Sequence, residues 1–129
     1  MIHTYLDKYL QEAYKSLYEL DLDPVYDVVR SCALGNRPIL VFGNGGSAAV
    51  AEHLSCDFTK GIGNFSSTQF PRVESLVSNQ SLITAIANDY GYEHIFEKQI
   101  EYSANRFAVV IAISSSGNSE NVVRGLKAA

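Results

Sequence analysis

A histidine and a carboxylate separated by one helical turn are the first residues in this sequence that could do chemistry. His53 and Asp57 are four positions apart in the stretch FGNGGSAAVAEHLSCDF, residues 42–58. On a helix, residues four apart lie on one face. Such a pair can transfer protons, supply two ligands to a divalent metal, or simply hold the helix in place. The spacing alone leaves all three roles open.

Two turns of small residues indicate an anion site. The first is GNGGS, residues 43–47, and the second is SSSGNS, residues 114–119. Each follows an apolar run that predicts a buried strand, and each precedes a helical pattern. Backbone N–H groups and the helix dipole favour an anion at a helix start, and serine hydroxyls can donate to phosphate oxygens. Capping alone explains one such turn, but two on one sheet favour a phosphate site.

A nucleotide site is the alternative interpretation of the first turn. Gly43, Gly45 and Ala48 formally satisfy G-x-G-x-x-A, a dinucleotide fingerprint. The second predicted strand ends in LVSN, residues 76–79, without the acidic residue that would hold a ribose. No Gly-Lys-Ser/Thr follows the glycines, which excludes a Walker A loop. The serine turn instead suits a monophosphate held by N–H and O–H donors.

Strands alternating with helices must position these groups. Apolar runs predict strands at residues 38–44, 73–78 and 107–113. Helical patterns cover residues 47–58, 81–87 and 92–105, and a last helix carries Val122, Val123 and Leu126, whereas residues 61–71 predict a loop. The alternation predicts right-handed crossovers and an α/β fold, a three-layer, doubly wound parallel sheet. Three strands make a thin sheet, so we expect a truncated chain or a sheet completed elsewhere.

Two helices are expected before the first strand. Apolar residues recur at three- and four-residue steps over residues 4–20, and a second helix follows Pro24 and ends at Gly35-Asn36. Their wide apolar stripe needs a cover, either this domain's sheet or another subunit. We therefore divide the chain into an N-terminal helical segment, residues 1–36, and a domain of residues 37–129.

Composition limits the class of protein. A chain of 129 residues that is 47% hydrophobic can fill one core. A net charge of −4 argues against nucleic acid or an anionic membrane held by bulk charge. No apolar run approaches the roughly 20 residues of a membrane span, and no signal peptide is recognisable. Cys32 and Cys56 form no CxxC motif, so we expect reduced thiols in a soluble, cytoplasmic protein.

Three separated motifs resemble the SIS (sugar isomerase) domain, specifically its phosphoheptose isomerase branch. They are FGNGGSAAVAEHLSCDF, AIANDYGYEHIFEKQIE at residues 85–101 and IAISSSGNSENVV at residues 111–123, in the family's order. The resemblance implies the SIS fold and a homo-oligomer, a tetramer or dimer, in which N-terminal helices pair between subunits. It implies ketose–aldose isomerisation of a phosphorylated sugar of the sedoheptulose 7-phosphate type through an enediolate. No cofactor is required, although some members bind a divalent metal such as zinc.

The resemblance also implies roles for individual residues. His53 aligns with a histidine that is a metal ligand in some members. Asp57 stands where this branch carries a catalytic glutamate, so its carboxylate reaches one methylene less far. The family's second acid/base, a histidine with a nearby glutamine, lies C-terminal to residue 129. The implied substrate- and phosphate-binding residues are Asn44, Gly45, Gly46, Ser47, Asn88, Asp89, Ser114, Ser115, Ser116 and Ser119.

The expected chemistry sets a condition on Asp57. Isomerisation needs a base that removes a proton next to a carbonyl, and an acid that stabilises the enediolate. A free aspartate, with a pKa of about 3.9, is a weak base, so Asp57 would need burial to act as one. His94 and Glu97 are three apart, and we expect an exposed helix face rather than an addition to a metal site. A non-catalytic module that binds a sugar phosphate or a protein, as relatives associated with replication initiation do, is the second hypothesis.

Overall fold

The computed structural model describes residues 2–35, 37–61, 72–103 and 109–129. Within these ranges the elements alternate as the sequence predicts, helices first. A π-helix, Asp57–Gly61, continues α3, and a 3-10 turn, Tyr92–His94, precedes α5. The elements are α1 (Ile2–Tyr18), α2 (Asp23–Gly35), β1 (Ile39–Gly43), α3 (Gly46–Cys56), β2 (Val73–Ser75), α4 (Gln80–Tyr90), α5 (Ile95–Tyr102), β3 (Val109–Ile113) and α6 (Glu120–Ala128).

The sheet is parallel, in the order β2-β1-β3. Ile39, at the start of the central strand, is paired with Val73 on one side and Val109 on the other. All five residues of β1 are buried, because β1 is covered by a strand on each edge and by helices on each face. The predicted parallel α/β sheet is confirmed.

Alternate residues of β1 enter two separate cores. Ile39 and Val41 pack with Cys32 of α2 and Ala51 of α3 on one face. Leu40 and Phe42 pack on the other face with apolar residues of α4, α5 and α6. The rings of Phe42 and Phe96 lie 4.5 Å apart between centroids. Helices therefore cover both faces of the sheet, which confirms the three-layer architecture.

The second strand is shorter than predicted. β2 ends at Ser75, whereas the apolar run extends to residue 78. The Leu76 N–H still donates to the Val41 carbonyl, but the Ser75 hydroxyl then accepts from the Val77 N–H and the chain turns. The local side-chain bond competes with the ladder. Residues 107–108 of the third predicted strand, Asn36 and residues 62–71 of the predicted loop lie outside the described residues.

Two helix boundaries also differ from the prediction. The helix predicted at residues 81–87 spans Gln80–Tyr90, and the Asn79 side chain caps its start by accepting from the Leu82 N–H, 3.0 Å away. Gly91, with φ of 100°, then ends it. The helix predicted at residues 92–105 is divided into the 3-10 turn and α5, and residues 104–105 lie outside the described residues.

The first helix contributes nothing to either core. α1 has no buried residue, and its large apolar side chains are exposed, among them Tyr5, Leu10, Tyr14 and Leu17. The described sheet therefore does not cover the apolar stripe of α1. None of the described helices is long and apolar enough to cross a membrane. The division of the chain after residue 36 stays a prediction.

Candidate functional site

The glycine turn links β1 to α3 under tight steric limits. A Cβ atom at Gly43 would lie 2.6 Å from the Ile113 carbonyl oxygen and 2.7 Å from the Ser47 Cβ. Gly45, with φ of 52°, has a backbone conformation that other residues rarely adopt. No side chain caps α3 at Gly45. The turn therefore presents the amino end of α3 at the edge of the sheet.

The serine turn links β3 to α6 and leaves several hydroxyls unused. Ser114 Oγ accepts from the Gly117 N–H at 3.1 Å, and Ser116 Oγ accepts from the Asn118 N–H at 3.3 Å. Ser119 precedes α6, but its side chain makes no capping hydrogen bond. Within the described part of the chain, the hydroxyls of Ser47, Ser115 and Ser119 have no hydrogen-bond partner. These hydroxyls are available to a ligand.

The two turns meet because Gly43 and Ile113 are paired between β1 and β3. A cavity of about 70 Å³ lies between them, well above the roughly 10–15 Å³ that one water molecule needs. Both α3 and α6 begin at this edge, so their positive ends face the same place. The cavity is lined by Asn44, Ser47, Ile113, Ser114, Ser115, Ser116 and Ser119. The structure thus brings together six of the ten predicted binding residues; Gly45 and Gly46 belong to the first turn but do not line the cavity.

Asn44 is held by two residues to which the sequence analysis gave no role in the site. Its Nδ2 donates to Asn121 Oδ1 at 2.9 Å, and Asn121 Nδ2 donates back to Asn44 Oδ1 at 2.8 Å. The Tyr92 hydroxyl also donates to Asn44 Oδ1 at 3.1 Å. Asn121 is only 3% exposed and lies beside the buried Val122. A polar residue on the apolar face of α6 is the sequence signal that could have found it.

His53 and Asp57 lie farther along α3 and its π-helical extension. His53 Nε2 is 3.5 Å from Asp57 Oδ2, and the side chains are 78% and 56% exposed. Neither residue lines the cavity. His53 is six positions beyond Ser47, about 9 Å along a helix axis. The burial that Asp57 would need as a base is absent among the described residues.

Comparison with known proteins places this geometry in a family. The sequence matches the SIS domain over residues 5–129. The chain belongs to the SIS domain family. The match begins within α1 and includes α2. The three-layer parallel sheet of the chain agrees with the fold that the motifs imply.

Similar proteins of two organisms are named as phosphoheptose isomerases. This chain is 40% identical over 126 residues to a probable phosphoheptose isomerase of Thermoplasma acidophilum, covering 95% of this chain and 68% of that one. It is 40% identical over 118 residues to the phosphoheptose isomerase of Aquifex aeolicus, covering 91% of this chain and 60% of that one. The chain therefore spans only about three fifths to two thirds of these relatives.

Solved structures agree with the sequence comparison. The phosphoheptose isomerase of Neisseria gonorrhoeae superposes with a TM-score of 0.70 at 31% identity, over 99% of this chain and 68% of that one. That of Francisella tularensis superposes with a TM-score of 0.84 at 26% identity, over 98% and 66%. This SIS domain therefore has the fold of that branch, as the sequence predicts.

The described residues of this SIS domain do not make a complete metal site. No group of three or more histidine, cysteine, aspartate or glutamate side chains among them could hold an ion. His53 and Asp57 supply two ligands, whereas a zinc site takes at least three from protein. Any metal at this pair needs a ligand from outside the described residues.

The remaining predicted residues lie apart from the cavity. Asn88 and Asp89 are exposed near the end of α4, where Asn88 Nδ2 donates to Asp89 Oδ1 at 2.9 Å, and neither lines the cavity. Their role at the rim stays a prediction.

The expectation of an exposed face at His94 and Glu97 is wrong. Their side chains are 25% and 23% exposed and bond to each other, because α6 packs beside them. Arg124 of α6 approaches Glu97 at 4.0 Å and pairs with Glu120 at 2.8 Å. This cluster ties the start of α6 to α5.

Two groups on α5 have shifted pKa values. A hydrogen bond to Glu101 raises the pKa of Lys98, and a hydrogen bond to Tyr90 raises the pKa of Tyr102. Neither side chain lines the cavity between the two turns. These shifts therefore belong to the outer surface of α4 and α5.

Proposed function

We propose that this SIS domain binds a phosphorylated sugar, with the phosphate in the cavity between the two turns. The observation that carries the proposal is the convergence of two uncapped helix starts and several unpaired serine hydroxyls on one cavity. N–H and O–H donors around the positive ends of two helices are complementary to a phosphate dianion. Among the described residues, no charged side chain lines the cavity, so these neutral donors and the helix dipoles supply the attraction.

We further propose that the chain takes part in ketose–aldose isomerisation of a phosphoheptose. The names of its relatives support this reaction over a module that only binds. With the phosphate held at the turns, the sugar extends along α3 toward His53 and Asp57. Asp57 removes the proton next to the carbonyl, and His53, one turn earlier, helps to open the cyclic sugar.

A second copy of the chain completes the site in this proposal. Asp57 is too exposed in one copy to act efficiently as a base, and α1 presents an apolar face that the described sheet does not cover. A dimer or tetramer would exclude water from Asp57 and from the apolar face of α1. The acid that stabilises the enediolate, and the further ligands of a divalent metal at His53 and Asp57, would come from outside the described residues. A cytoplasmic location stays a prediction.

Calorimetry tests the proposal directly. Sedoheptulose 7-phosphate is titrated into the purified protein, with inorganic phosphate as a competitor and unphosphorylated sedoheptulose as a control, and product is assayed in the same sample. If inorganic phosphate competes with the sugar phosphate for binding, and product forms, both the phosphate site and the isomerase reaction are supported. Binding without turnover would leave the phosphate site and remove the isomerase assignment. No binding of the phosphorylated sugar or of phosphate would remove the proposal altogether.

A further inference from the structure

The glycine turn and the serine turn are joined by side chains as well as by the sheet. Asn44 in the first turn and Asn121 in α6, directly after the second, are 77 positions apart and share two amide hydrogen bonds. Tyr92, in the 3-10 turn after α4, adds a third hydrogen bond, from its hydroxyl to Asn44. Three segments of the chain therefore converge on one side-chain amide at the wall of the cavity.

The pattern of bonds determines which way the Asn44 amide points. Its Oδ1 accepts from both Asn121 and Tyr92, which uses its two lone pairs. Its Nδ2 donates one hydrogen to Asn121 Oδ1. If the Asn44 amide were flipped, its Nδ2 would face Asn121 Nδ2, and two hydrogen-bond donors would oppose each other. In the observed orientation Asn44 keeps a single free group, the second N–H of Nδ2.

This remaining N–H group can donate to a phosphate oxygen. Phosphate oxygens only accept hydrogen bonds, and Asn44 can only donate one more. Asn44 also lines the cavity, together with Ser47 and the serines of the second turn.

We propose that Tyr92 and Asn121 are positioning residues, which hold Asn44 in the one orientation that aims its free N–H donor at the phosphate. The inference rests on the proposed function, since it takes the ligand in the cavity to be a phosphate group.

Tyr92 is the better residue for a test. Its side chain is exposed, with 57% of its surface accessible, so loss of its hydroxyl removes a hydrogen bond and little packing. Asn121 is buried and bonds to the backbone N–H of Val122 as well, so its replacement endangers the fold. Tyr90 offers a matched control. It is 52% exposed, and its ring lies beneath the Lys98 ammonium, 5.4 Å from the centroid.

The experiment is a double-mutant cycle on ligand affinity. Tyr92→Phe should weaken binding of both sedoheptulose 7-phosphate and inorganic phosphate about three- to tenfold, the usual effect of one hydrogen bond. Tyr90→Phe should leave both affinities unchanged. In an Asn44→Ala background, Tyr92→Phe should cause no further loss, because its effect passes through Asn44. An equal loss in both backgrounds, or an equal loss with Tyr90→Phe, would overturn the inference.

A ligand-free measurement separates this inference from the proposed function. In ¹⁵N spectra of the whole chain, the side-chain amide signals of Asn44, assigned by their absence in Asn44→Ala, should move in Tyr92→Phe and stay in place in Tyr90→Phe. If the wild-type chain binds neither compound but these signals move, the phosphate site fails and the positioning of Asn44 stands. If the signals do not respond to Tyr92→Phe, the positioning role fails whatever the chain binds.

Discussion

Gly43 and Ile113 approach so closely that a Cβ atom at Gly43 would lie 2.6 Å from the Ile113 carbonyl oxygen. The two residues are partners at the ends of adjacent parallel strands. The glycine turn and the serine turn both begin at this contact. The width of the cavity between them therefore depends on the absence of a side chain at residue 43.

Gly43→Ala should destabilise the fold by about 1–3 kcal/mol, the usual cost of overpacking, because the atoms it meets are backbone and a short side chain. It should also weaken phosphate binding by pushing the turns apart. Urea unfolding measures the first effect. Gly46→Ala is the control, since no atom lies within 4 Å of its new Cβ; an equal loss there would show that steric contact is not the cause.

Ser119→Ala should weaken phosphate binding without lowering stability. Serine caps usually contribute about 1 kcal/mol, but Ser119 makes no capping bond to α6. Asn79→Ala should lower stability and leave phosphate binding unchanged, because the Asn79 side chain caps α4 by accepting from the Leu82 N–H. Thermal unfolding and calorimetry on the two variants give the comparison. A loss of stability in Ser119→Ala like that in Asn79→Ala would mean that its hydroxyl serves the helix.

Asp57→Asn should lower kcat about 100-fold or more, as loss of a general base does, and change sugar-phosphate affinity little. Asp57→Glu should keep turnover, since it supplies the longer side chain that the resemblance implies at this position. Steady-state kinetics and calorimetry on the same preparations separate the two effects. Glu52→Gln, an exposed carboxylate of the same helix, is the control, and turnover that survives Asp57→Asn would exclude Asp57 as the base.

Leu10→Glu should dissociate an oligomer that forms through α1. Leu10 is 56% exposed on the apolar face of a helix without buried residues, and a carboxylate there would be costly to bury. Sedimentation equilibrium over a range of concentrations reports the mass. Lys8→Glu changes the opposite face of α1 and should leave the mass of the oligomer unchanged. A wild-type chain that is a monomer at every concentration would contradict the proposed assembly.

Much of the fold and of the candidate site followed from local patterns. The buried run of β1 ends in glycine and that of β3 ends in serine, and parallel strands bring such ends to one edge of the sheet. This reasoning placed Asn44, Ser47 and the serines of the second turn together, and the structure agrees.

Two other predictions failed because the spacing of apolar residues shows neither competing local hydrogen bonds nor the elements that pack nearby. β2 ends at Ser75, three residues before its apolar run does, since a hydroxyl bond to the Val77 N–H competes with the ladder. His94 and Glu97 have the spacing of an exposed face, but α6 covers them. Neither outcome can be derived from the spacing of residues on a single element.

The sequence by itself determined the alternation of strands and helices, the meeting of the two turns of small residues and the family, because these reside in short stretches of neighbouring residues. Only the tertiary structure decided that Asn121 and Tyr92 hold Asn44, and that His53 and Asp57 are exposed and outside the cavity. A hydrogen bond between residues 77 positions apart depends on strand register and helix packing, which bring distant segments of the chain together. Residue spacing along the chain carries no such information.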